Sequence, residues 1–479
     1  MSTVLFTHSY FYRLDAKQWK FKQPYPPLGS LQAAAAAREA GFDVRFFDVA
    51  LRHEPGEVDD VLKEYRPDYF VIYDDGFNYL TKMCLTLMRE AAIKMAQLAK
   101  KARAKVIICS SDSSDHYDKY LDAGVDFVVR GEGEESVNEL LQQLASQGDF
   151  REIPGIVFRL GQKTIVTRQR PVLRDLDSLP LPAWDLVDLE PYRSIWMKNH
   201  GYFSLNAATT RGCPYKCNWC AKPIYGNRYN SRSPEHVVNE LEFLLQKFQP
   251  DHFWMCDDIF GLKPGWLQQF SKLVREKGLK FRYKIQSRVD LLLEENAIEA
   301  LASSGADTVW VGAESGSQKI LDAMEKGTTT EEIRKATQIL KQHQIKVGFF
   351  LQFGYLGETK SDIQSTLEMV LDQMPDEIGI SISYPLPGTK FYETVKGQLS
   401  EKQNWTDSDD LAMMYRGTFS PAYYRLLHRY IHSRYRIRRG WEQIKKRKIK
   451  LRAFASMLFH SPVSLIQGWK LNRLEHAAG

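Results

Sequence analysis

Three cysteines lie close together in the chain, at Cys213, Cys217 and Cys220, with three and then two residues between them. Three thiolates on one short loop can bind three irons of a cubane 4Fe-4S cluster and leave the fourth iron without a protein ligand. A chelating small molecule can then bind that iron, and an electron passed through the cluster can cleave a carbon–sulfur bond in it. A structural zinc site is the alternative, although zinc usually takes four protein ligands and the sequence offers no fourth Cys or His nearby.

The cysteine segment, in which Trp219 directly precedes the last cysteine, resembles the signature of the radical S-adenosylmethionine (SAM) superfamily. The resemblance implies an enzyme that has a 4Fe-4S cluster and SAM as cofactors. It also implies reductive cleavage of SAM to a 5′-deoxyadenosyl radical, which abstracts hydrogen from an unactivated carbon. Trp219 would then pack by the adenine of SAM, and an ordinary core aromatic residue is the alternative.

Polar motifs that follow the later strands extend this resemblance. Where the superfamily often has Gly-Gly-Glu to bind the methionine amino group, this chain has Asp257 and Asp258, whose carboxylates can accept hydrogen bonds from an ammonium group. The resemblance assigns the methionine carboxylate to Arg288, the ribose hydroxyls to Glu314 and the adenine to Gly354. The alternatives are helix capping for the aspartates and solvated surface charges for Arg288 and Glu314.

The elements that must carry these motifs are short apolar strands alternating with helices. Ser233 with Pro234 begins one of these helices, and Thr329 with Glu332 forms a capping box that begins another. Six strand–helix units predict an incomplete, open (β/α)6 barrel with its active site at the carboxyl ends of the strands. The six strands are expected at residues 203–205, 252–255, 281–285, 308–311, 347–351 and 378–382.

The first 150 residues carry an earlier alternating series. Five strands are expected at residues 4–6, 44–47, 69–73, 106–109 and 127–129, with helices between them. This pattern predicts a doubly wound parallel α/β sheet of the flavodoxin or Rossmann type, which binds ligands at the carboxyl ends of its strands. The loops at those ends contain Tyr10, Asp74, Ser110, Ser111, Gly131 and Glu132.

An open α/β sheet ahead of a radical SAM barrel resembles the cobalamin-binding branch of the superfamily. That branch includes enzymes like the anaerobic magnesium-protoporphyrin IX monomethyl ester cyclase and the class B radical SAM methyltransferases, and residues 24–29 and 128–134 resemble its recurring landmarks. The resemblance implies cobalamin as a third cofactor, bound at the strand ends. The chain lacks Asp-x-His-x-x-Gly, so a lower axial histidine is not expected, and residues 109–112 replace a glycine pair and can crowd the nucleotide tail. A vestigial domain, or one that binds a different ligand, is the alternative.

The reaction implied by this combination is C-methylation, in which a substrate radical receives a methyl group from methylcobalamin. Oxidative cyclisation or rearrangement with a vestigial cobalamin domain is the neighbouring alternative. An RNA-modifying enzyme and a non-catalytic cobalamin or cluster sensor also remain open. Sulfur insertion into RNA is not expected, because enzymes of that kind resemble a family with a second cysteine triad, which Cys84 and Cys109 cannot provide.

The net charge of +6 is unevenly distributed along the chain. Residues 421–479 contain 14 Lys and Arg residues and two acidic residues, Glu442 and Glu475, with aromatic and apolar residues between the bases. Such a segment can lie on an anionic membrane surface, bind an acidic substrate, or form a solvated helical face that closes the barrel. Nucleic acid is an open alternative rather than the expected partner.

Composition sets the remaining expectations. No apolar run approaches the roughly 18 residues of a membrane span, which predicts a cytoplasmic protein. The basic tail leaves peripheral membrane contact open as an alternative. We expect a small-molecule or lipid-like substrate and a reductant such as flavodoxin or ferredoxin. We place a cobalamin-binding-like domain at residues 1–147, a hairpin and connector at 148–197, a radical SAM barrel at 198–400 and a basic, mainly helical segment at 401–479.

Overall fold

The computed structural model describes residues 2–220, 224–399, 402–445 and 451–476. The chain divides into two compact units. The first comprises Met1–Tyr215, Ala221–Tyr283 and Asn404–Asp410, and the second comprises Lys216–Cys220, Lys284–Gln403 and Leu411–Gly479. Part of the basic tail, residues 446–450, lies outside the described residues.

A seven-stranded sheet forms the centre of the first unit. Its strands are β1 (Thr3–Thr7), β2 (Asp43–Phe47), β3 (Tyr69–Tyr73), β4 (Lys105–Cys109), β5 (Phe127–Val129), β6 (Ile156–Leu160) and β7 (Lys163–Val166). Their spatial order is β2-β1-β3-β4-β5-β6-β7, with β1 to β5 parallel and β6 and β7 antiparallel. The five predicted strands and their doubly wound order are confirmed, and the predicted hairpin extends the same sheet.

Helices cover both faces of this sheet. They are α1 (Ala16–Phe21), α2 (Leu28–Glu39), α3 (Val58–Tyr65), α4 (Tyr79–Lys82), α5 (Thr86–Lys101), α6 (Ser111–Asp115), α7 (Tyr117–Asp122), α8 (Glu134–Ala145) and, after the hairpin, α9 (Glu190–His200). Phe70 and Ile72 of β3 pack in one apolar cluster with Met95 of α5, whereas Val71 packs in another with Ala34 of α2. Because successive side chains of a strand point to opposite faces, a strand covered on both faces is apolar throughout.

The segment Asn404–Asp410, which we call the return strap, belongs to the first unit although it follows most of the second in sequence. The backbone oxygens of Trp405 and Thr406 accept hydrogen bonds from the N–H groups of Thr86 and Leu87, at 2.9 and 3.2 Å. These donors lie in the first turn of α5, where N–H groups have no partner within the helix. The strap therefore supplies the cap of a helix that lies far from it in the sequence.

The later strands carry the cysteine segment and the motifs after it. They are β8 (Ser204–Ala207), β9 (Thr210–Arg211), β10 (Asn230–Ser231), β11 (His252–Met255), β12 (Arg282–Ser287), β13 (Ala306–Glu314), β14 (Lys346–Phe353) and β15 (Glu377–Ile382). In the first unit β8 pairs in parallel with β11, and β9 pairs antiparallel with β10. In the second unit β14 pairs in parallel with β13 and β15. The six predicted strands are confirmed, and their closure into a partial barrel stays a prediction.

The helices of this half begin where the sequence places their caps. The Ser233 side chain accepts a hydrogen bond from the N–H group of His236, with Pro234 as the first helical residue, and Thr329 and Glu332 form the predicted capping box. The helices are α10 (Pro234–Phe248), α11 (Trp266–Glu276), α12 (Val289–Leu292), α13 (Ala297–Ser303), α14 (Gln318–Ala323), α15 (Thr330–Gln342), α16 (Lys360–Gln373), α17 (Lys390–Val395), α18 (Pro421–Lys445) and α19 (Leu451–His476).

The last two helices pack against each other and confirm the expected helical C-terminal segment. A Cβ atom at Gly440 of α18 would lie 2.7 Å from the Cβ atom of Met457 of α19, so the glycine permits a close approach of the two backbones. Tyr435 of α18 donates hydrogen bonds to the backbone oxygens of Pro375 and Asp376, both at 2.7 Å. Within the described residues, none of the helices has the length and apolar character of a membrane span.

Candidate active site

The cysteine loop begins at a glycine that no other residue could replace. Gly212 has a φ angle of +82°, and a Cβ atom there would lie 2.0 Å from the backbone oxygen of Arg228. Cys213 and Cys217 are half-buried, Cys220 is exposed, and none of the six cysteines, all of them in the described part of the chain, forms a disulfide. The thiols therefore stand on a loop whose start is fixed by close backbone packing.

The geometry of the three thiols bears on the kind of metal group that they suit. Among the described residues, no three His, Cys, Asp or Glu side chains are grouped as the ligands of a single metal ion are. A cubane cluster makes a different demand, because each thiolate binds a separate iron at a separate corner. Three thiols on one loop match the number of protein ligands that such a cluster takes when its fourth iron is open.

Asn218 holds the second part of the cysteine loop in the second unit. Its side-chain amide donates to the backbone oxygen of Ala323 at 2.8 Å, and its side-chain oxygen accepts the hydroxyl of Tyr355 at 2.9 Å. Its backbone N–H donates to the oxygen of Met324 at 3.1 Å, and its backbone oxygen accepts the N–H group of Phe391 at 2.9 Å. Four hydrogen bonds at one residue anchor the segment that carries Cys217 and Cys220.

Trp219 lies partly buried beside an apolar cluster of the second unit. The cluster contains Met324, Tyr355 and Phe391, on which one side of the indole packs. The indole Nε1 is buried and has no hydrogen-bond partner in the protein. A buried N–H group of this kind is a donor that a ligand could satisfy.

Asp257 follows β11 and ties together the residues just before the cysteine loop. Its Oδ1 atom accepts the N–H and hydroxyl of Thr209, at 2.7 and 3.1 Å, and those of Thr210, at 2.5 and 2.7 Å. Its Oδ2 atom is buried without a partner. Burial raises the pKa of Asp257 to about 6, although the hydrogen bonds from Thr210 and Thr209 act in the opposite direction. The Oδ1 atom therefore has a structural role, whereas the Oδ2 atom remains available to a ligand.

The neighbouring Asp258 already has a cationic partner. Its carboxylate accepts a hydrogen bond from the ammonium group of Lys82, at 2.5 Å, and the Lys82 side chain is buried. The lysine is the last residue of α4, which follows β3 of the N-terminal sheet. This ion pair therefore links that part of the first unit to the segment after β11. Asp258 thus offers less uncompensated negative charge than Asp257 does.

In the second unit, Glu314 ends β13 with a φ angle of +55°, a left-handed conformation that costs a non-glycine residue energy. Its Oε1 atom accepts a hydrogen bond from the buried ammonium group of Lys326 at 2.9 Å. A Cβ atom at Gly312 would lie 2.5 Å from both of these atoms, so the glycine makes room for the pair. Burial lowers the pKa of Lys326, but Glu314 and Cys217 outweigh it and the net shift of the pKa is upward.

Arg288 lies in the same unit and is buried. Its guanidinium contacts the carboxylate of Asp290 at 3.0 Å and donates to the backbone oxygen of Lys326 at 2.8 Å. These contacts hold the segment that presents Lys326 to Glu314. The structure therefore brings Arg288 and Glu314 together through that lysine.

Gly354 follows β14 with a φ angle of +80°. Its N–H group donates to Oε2 of Glu358 at 2.7 Å, and its oxygen accepts the hydroxyl of Tyr415 at 2.5 Å. Glu358 is fully buried, and its Oε1 atom has no partner. Burial raises the pKa of Glu358 to about 8, although the bond from Gly354 acts in the opposite direction.

At the carboxyl edge of the N-terminal sheet, two of the predicted ligand residues are bound to neighbours. Asp74 accepts the N–H group and the hydroxyl of Ser9 at 2.7 and 2.9 Å, and burial raises its pKa to about 6. Ser110 caps α6 by accepting the N–H group of Ser113 at 2.9 Å. Tyr10 is buried, and burial raises the pKa of its phenol well above the usual value.

The segments that follow β4 and β5 hold buried polar atoms without hydrogen-bond partners in the protein. They are the hydroxyl of Ser111, the Nε atom of Arg130 and the Oε2 atom of Glu134. Gly131 lies between the last two with a φ angle of +76°. Because buried polar groups in proteins are nearly always hydrogen-bonded, these atoms are suited to a polar ligand with several donors and acceptors, such as cobalamin with its amide arms.

Arg211 connects this edge to the start of the cysteine loop. Its buried guanidinium contacts the carboxylates of Glu132 and Glu134, the latter at 2.7 Å. The rings of Phe77 and Tyr225 lie against the same guanidinium, with centroids 5.7 and 5.0 Å from its central carbon. A charged group this deep in the protein is stable only because both its charge and its planar face are matched.

Sequence reasoning missed four residues that shape these sites: Arg211, Asn218, Lys326 and Glu358. Arg211 lies two residues before Cys213 and Asn218 directly follows Cys217, so a charged and an amide residue beside the ligand positions were the available signal. Lys326 follows α14 and Glu358 follows β14, each after a short turn, and no local pattern marks their partners. Their roles come from contacts that only the fold creates.

Family models match both halves of the chain. The model of the radical SAM superfamily matches residues 208–370, and the model of the B12 binding domain matches residues 19–141. The chain belongs to the radical SAM superfamily and carries a B12-binding domain ahead of its radical SAM domain. It is an enzyme of that class, and its cofactors are a 4Fe-4S cluster, SAM and cobalamin. The family and the cofactors expected from the sequence are confirmed.

Relatives and solved structures agree with this assignment. An uncharacterised methyltransferase of Pyrococcus horikoshii is 26% identical over 388 residues, which cover 79% of the chain and 81% of that protein. The anaerobic magnesium-protoporphyrin IX monomethyl ester cyclase of Synechocystis is 24% identical over 377 residues, covering 78% of the chain and 73% of the cyclase. The cobalamin-dependent SAM radical enzyme OxsB, solved with aqua-cobalamin and SAM bound, has a TM-score of 0.76 at 15% identity, over 97% of the chain and 72% of OxsB. The likeness to OxsB shows a shared fold.

Replacing Arg211 by Met should lower the free energy of unfolding by about 3–5 kcal/mol, because Glu132 and Glu134 would remain buried without a counter-charge. Urea unfolding of the metal-free protein measures this loss. Adding Glu132→Gln and Glu134→Gln should recover most of it, since neutral amides cost less to bury. An equal loss in the triple variant would show that packing, and not charge, accounts for the effect.

Glu358 should make the stability of the protein depend on pH. Its pKa is about 8 in the folded chain and near 4.5 when unperturbed, so the folded state holds the proton more tightly. The free energy of unfolding should therefore fall as the pH rises from about 4.5 to about 8. Glu358→Gln, which mimics the protonated acid, should remove a fall on the order of 3 kcal/mol in urea titrations between pH 5 and pH 9. The exposed Glu393→Gln is the control and should follow the wild-type curve; identical curves for all three proteins would refute the assignment.

Proposed function

We propose that the protein uses SAM and cobalamin to methylate an unactivated carbon of its substrate. The observation that carries this proposal is the buried contact of Arg211 with Glu132 and Glu134, because it joins residues that the two family models assign to different domains. When bound, the cofactors would supply a 5′-deoxyadenosyl radical made from SAM and a methyl group carried by cobalamin. The relatedness to a methyltransferase of Pyrococcus horikoshii supports the same reaction class.

We assign the cluster and SAM to residues at successive strand ends. The unpartnered Nε1 of Trp219 and Oδ2 of Asp257 support this assignment, because each is a buried polar atom that a ligand would satisfy. The Oδ2 atom of Asp257 would accept a hydrogen bond from the methionine ammonium group. Its Oδ1 atom would continue to hold the turn before the cysteines through Thr209 and Thr210. The proposed ligands of the cluster are Cys213, Cys217 and Cys220, and the proposed contacts of SAM are Trp219, Asp257, Asp258, Arg288, Glu314 and Gly354.

We assign cobalamin to the carboxyl edge of the N-terminal sheet. The buried hydroxyl of Ser111 and the Nε atom of Arg130 support this assignment as donors that lack partners in the protein. Glu132 would contact cobalamin from the segment after β5, where its carboxylate also contacts Arg211. The proposed contacts are Tyr10, Asp74, Ser110, Ser111, Gly131 and Glu132.

The substrate and electron source follow from the reaction class. Radical SAM enzymes take small-molecule substrates and need an electron donor, and we propose flavodoxin or ferredoxin as that donor and a small or lipid-like molecule as the substrate. We propose a cytoplasmic location. We keep the domain boundaries at residues 147, 197 and 400 as a prediction, and both family-model matches fall within the domains so defined.

The radical SAM assignment is tested by iron content and SAM cleavage after anaerobic reconstitution. Cys217→Ala should lose the cluster and produce no 5′-deoxyadenosine with a strong reductant, because two thiolates leave a second iron without a ligand. Cys84→Ala, which removes a buried thiol outside the cysteine loop, should keep both properties. Zinc in place of iron in the wild-type protein would overturn the assignment.

Methylation and cyclisation are then separated by the fate of the SAM methyl group. Extracts of cells that lack the protein, supplied with the reconstituted enzyme and methyl-deuterated SAM, should yield a product that carries the label. A product that has lost hydrogen and carries no label would favour cyclisation, the reaction class named by the Synechocystis relative. Retained cobalamin absorbance after anaerobic purification is the accompanying check.

Asp257→Asn and Asp257→Ala should separate the two oxygens of this carboxylate. The asparagine keeps an oxygen acceptor for Thr209 and Thr210, so iron content should stay normal, whereas SAM binding should weaken about tenfold because a charge-assisted hydrogen bond is lost. The alanine should also lower the iron content, since the turn before the cysteines loses its acceptor. Equilibrium dialysis of SAM and iron analysis measure these effects, and unchanged SAM binding in Asp257→Asn would limit Asp257 to a structural role.

A further inference from the structure

Helix α19 has one face that packs within the protein and a second that carries exposed apolar side chains. On the first face, Met457 packs on Gly440 of α18. Ser464 and Leu471 follow Met457 at intervals of seven residues and are also buried. A seven-residue interval is close to two helical turns, so these three residues form the packed face of the helix.

The second face carries large apolar side chains that the described chain leaves exposed. Leu458, Leu465 and Trp469 are 56%, 76% and 57% exposed, and their spacing of seven and four residues places them on one stripe. A group of large exposed apolar side chains on one side of a helix marks an interaction site. We call the following residues the apolar face of α19: Phe454, Leu458, Phe459, Leu465, Ile466 and Trp469.

Exposed basic residues lie on the same two helices, α18 and α19. Residues 421–479 carry 14 Lys and Arg residues and two acidic residues. Exposed bases among them are Arg425, Arg429, Arg436 and Arg439 of α18 and Lys470 and Arg473 of α19. The partner that covers the apolar face must therefore offer both an apolar layer and negative charge.

We infer that the two packed helices α18 and α19 dock on the surface of an anionic lipid bilayer, with the apolar face of α19 at the boundary between headgroups and acyl chains. Basic side chains would then contact lipid phosphates, and Trp469 has the amphipathic ring that suits this depth. A second copy is a poor occupant, because self-association would bring together two strongly basic segments. This inference goes beyond the proposed function and does not depend on the reaction.

The test is co-sedimentation of the full-length protein with vesicles. Vesicles of phosphatidylcholine with phosphatidylglycerol should bind at least about tenfold more protein than vesicles of phosphatidylcholine alone, and high salt should reduce binding several-fold. Equal binding to both kinds of vesicle, or no binding to either, would overturn the inference.

Variants distinguish the apolar face from the rest of the surface. Leu458→Ser with Leu465→Ser and Trp469→Ser should reduce the bound fraction about tenfold. The matched control replaces three comparably exposed apolar residues of the first unit, as Phe21→Ser with Leu160→Ser and Met197→Ser, and should bind as the wild type does. All six residues are exposed, so the fold should survive, which circular dichroism verifies.

Two outcomes would assign the apolar face to another partner. One is a dimer in solution that the α19 triple variant dissociates while no protein sediments with vesicles. The other is a tRNA gel shift that is lost in the α19 triple variant, again with no protein sedimenting with vesicles. Either result would contradict a lipid-binding role.

Discussion

Arg211 supplies one positive charge to two buried carboxylates, those of Glu132 and Glu134, and it does so two residues before the first cysteine of the loop. A buried carboxylate without a counter-charge is strongly destabilising, so the loop after β5 and the start of the cysteine segment have to stay in contact. The flanking rings of Phe77 and Tyr225 exclude water from the guanidinium and strengthen the attraction further. The position of the cysteine segment is in this way fixed by the N-terminal sheet as well as by its own strand.

The remaining anchors hold the cysteine segment just before its first cysteine and at Asn218. Asp257 gathers the two threonines before Arg211, and Gly212 admits the backbone of Arg228. In the second unit Asn218 is held by four hydrogen bonds, between two half-buried or exposed cysteines. A segment with rigid attachments and half-buried or exposed cysteines suits the binding of an inorganic group, because the backbone need not rearrange to receive it.

Local signals in the sequence predicted the elements well and the partners poorly. The strand positions follow from short apolar runs, and the caps at Ser233 and Thr329 follow from side chains that satisfy N–H groups three residues away, so both depend on neighbours in sequence. The pairing of Lys326 with Glu314, or of Asn218 with Tyr355, depends on how distant segments meet. The same holds for the left-handed backbone of Glu314 and for the unpartnered oxygen of Asp257, since no residue type or spacing in the sequence predicts either of them.

The return strap has a consequence for the order in which the chain can be completed. The backbone oxygens that cap α5 come from Trp405 and Thr406, and Lys17 of the first unit bonds to the oxygen of Ser408, 391 residues later in the sequence. During synthesis on a ribosome, the N-terminal sheet emerges long before these partners exist, so its helix ends meet water until translation has passed the whole second run of strands. Cutting the chain at one position cannot separate the two units. The first unit is completed by the return strap, which is synthesised after most of the second unit.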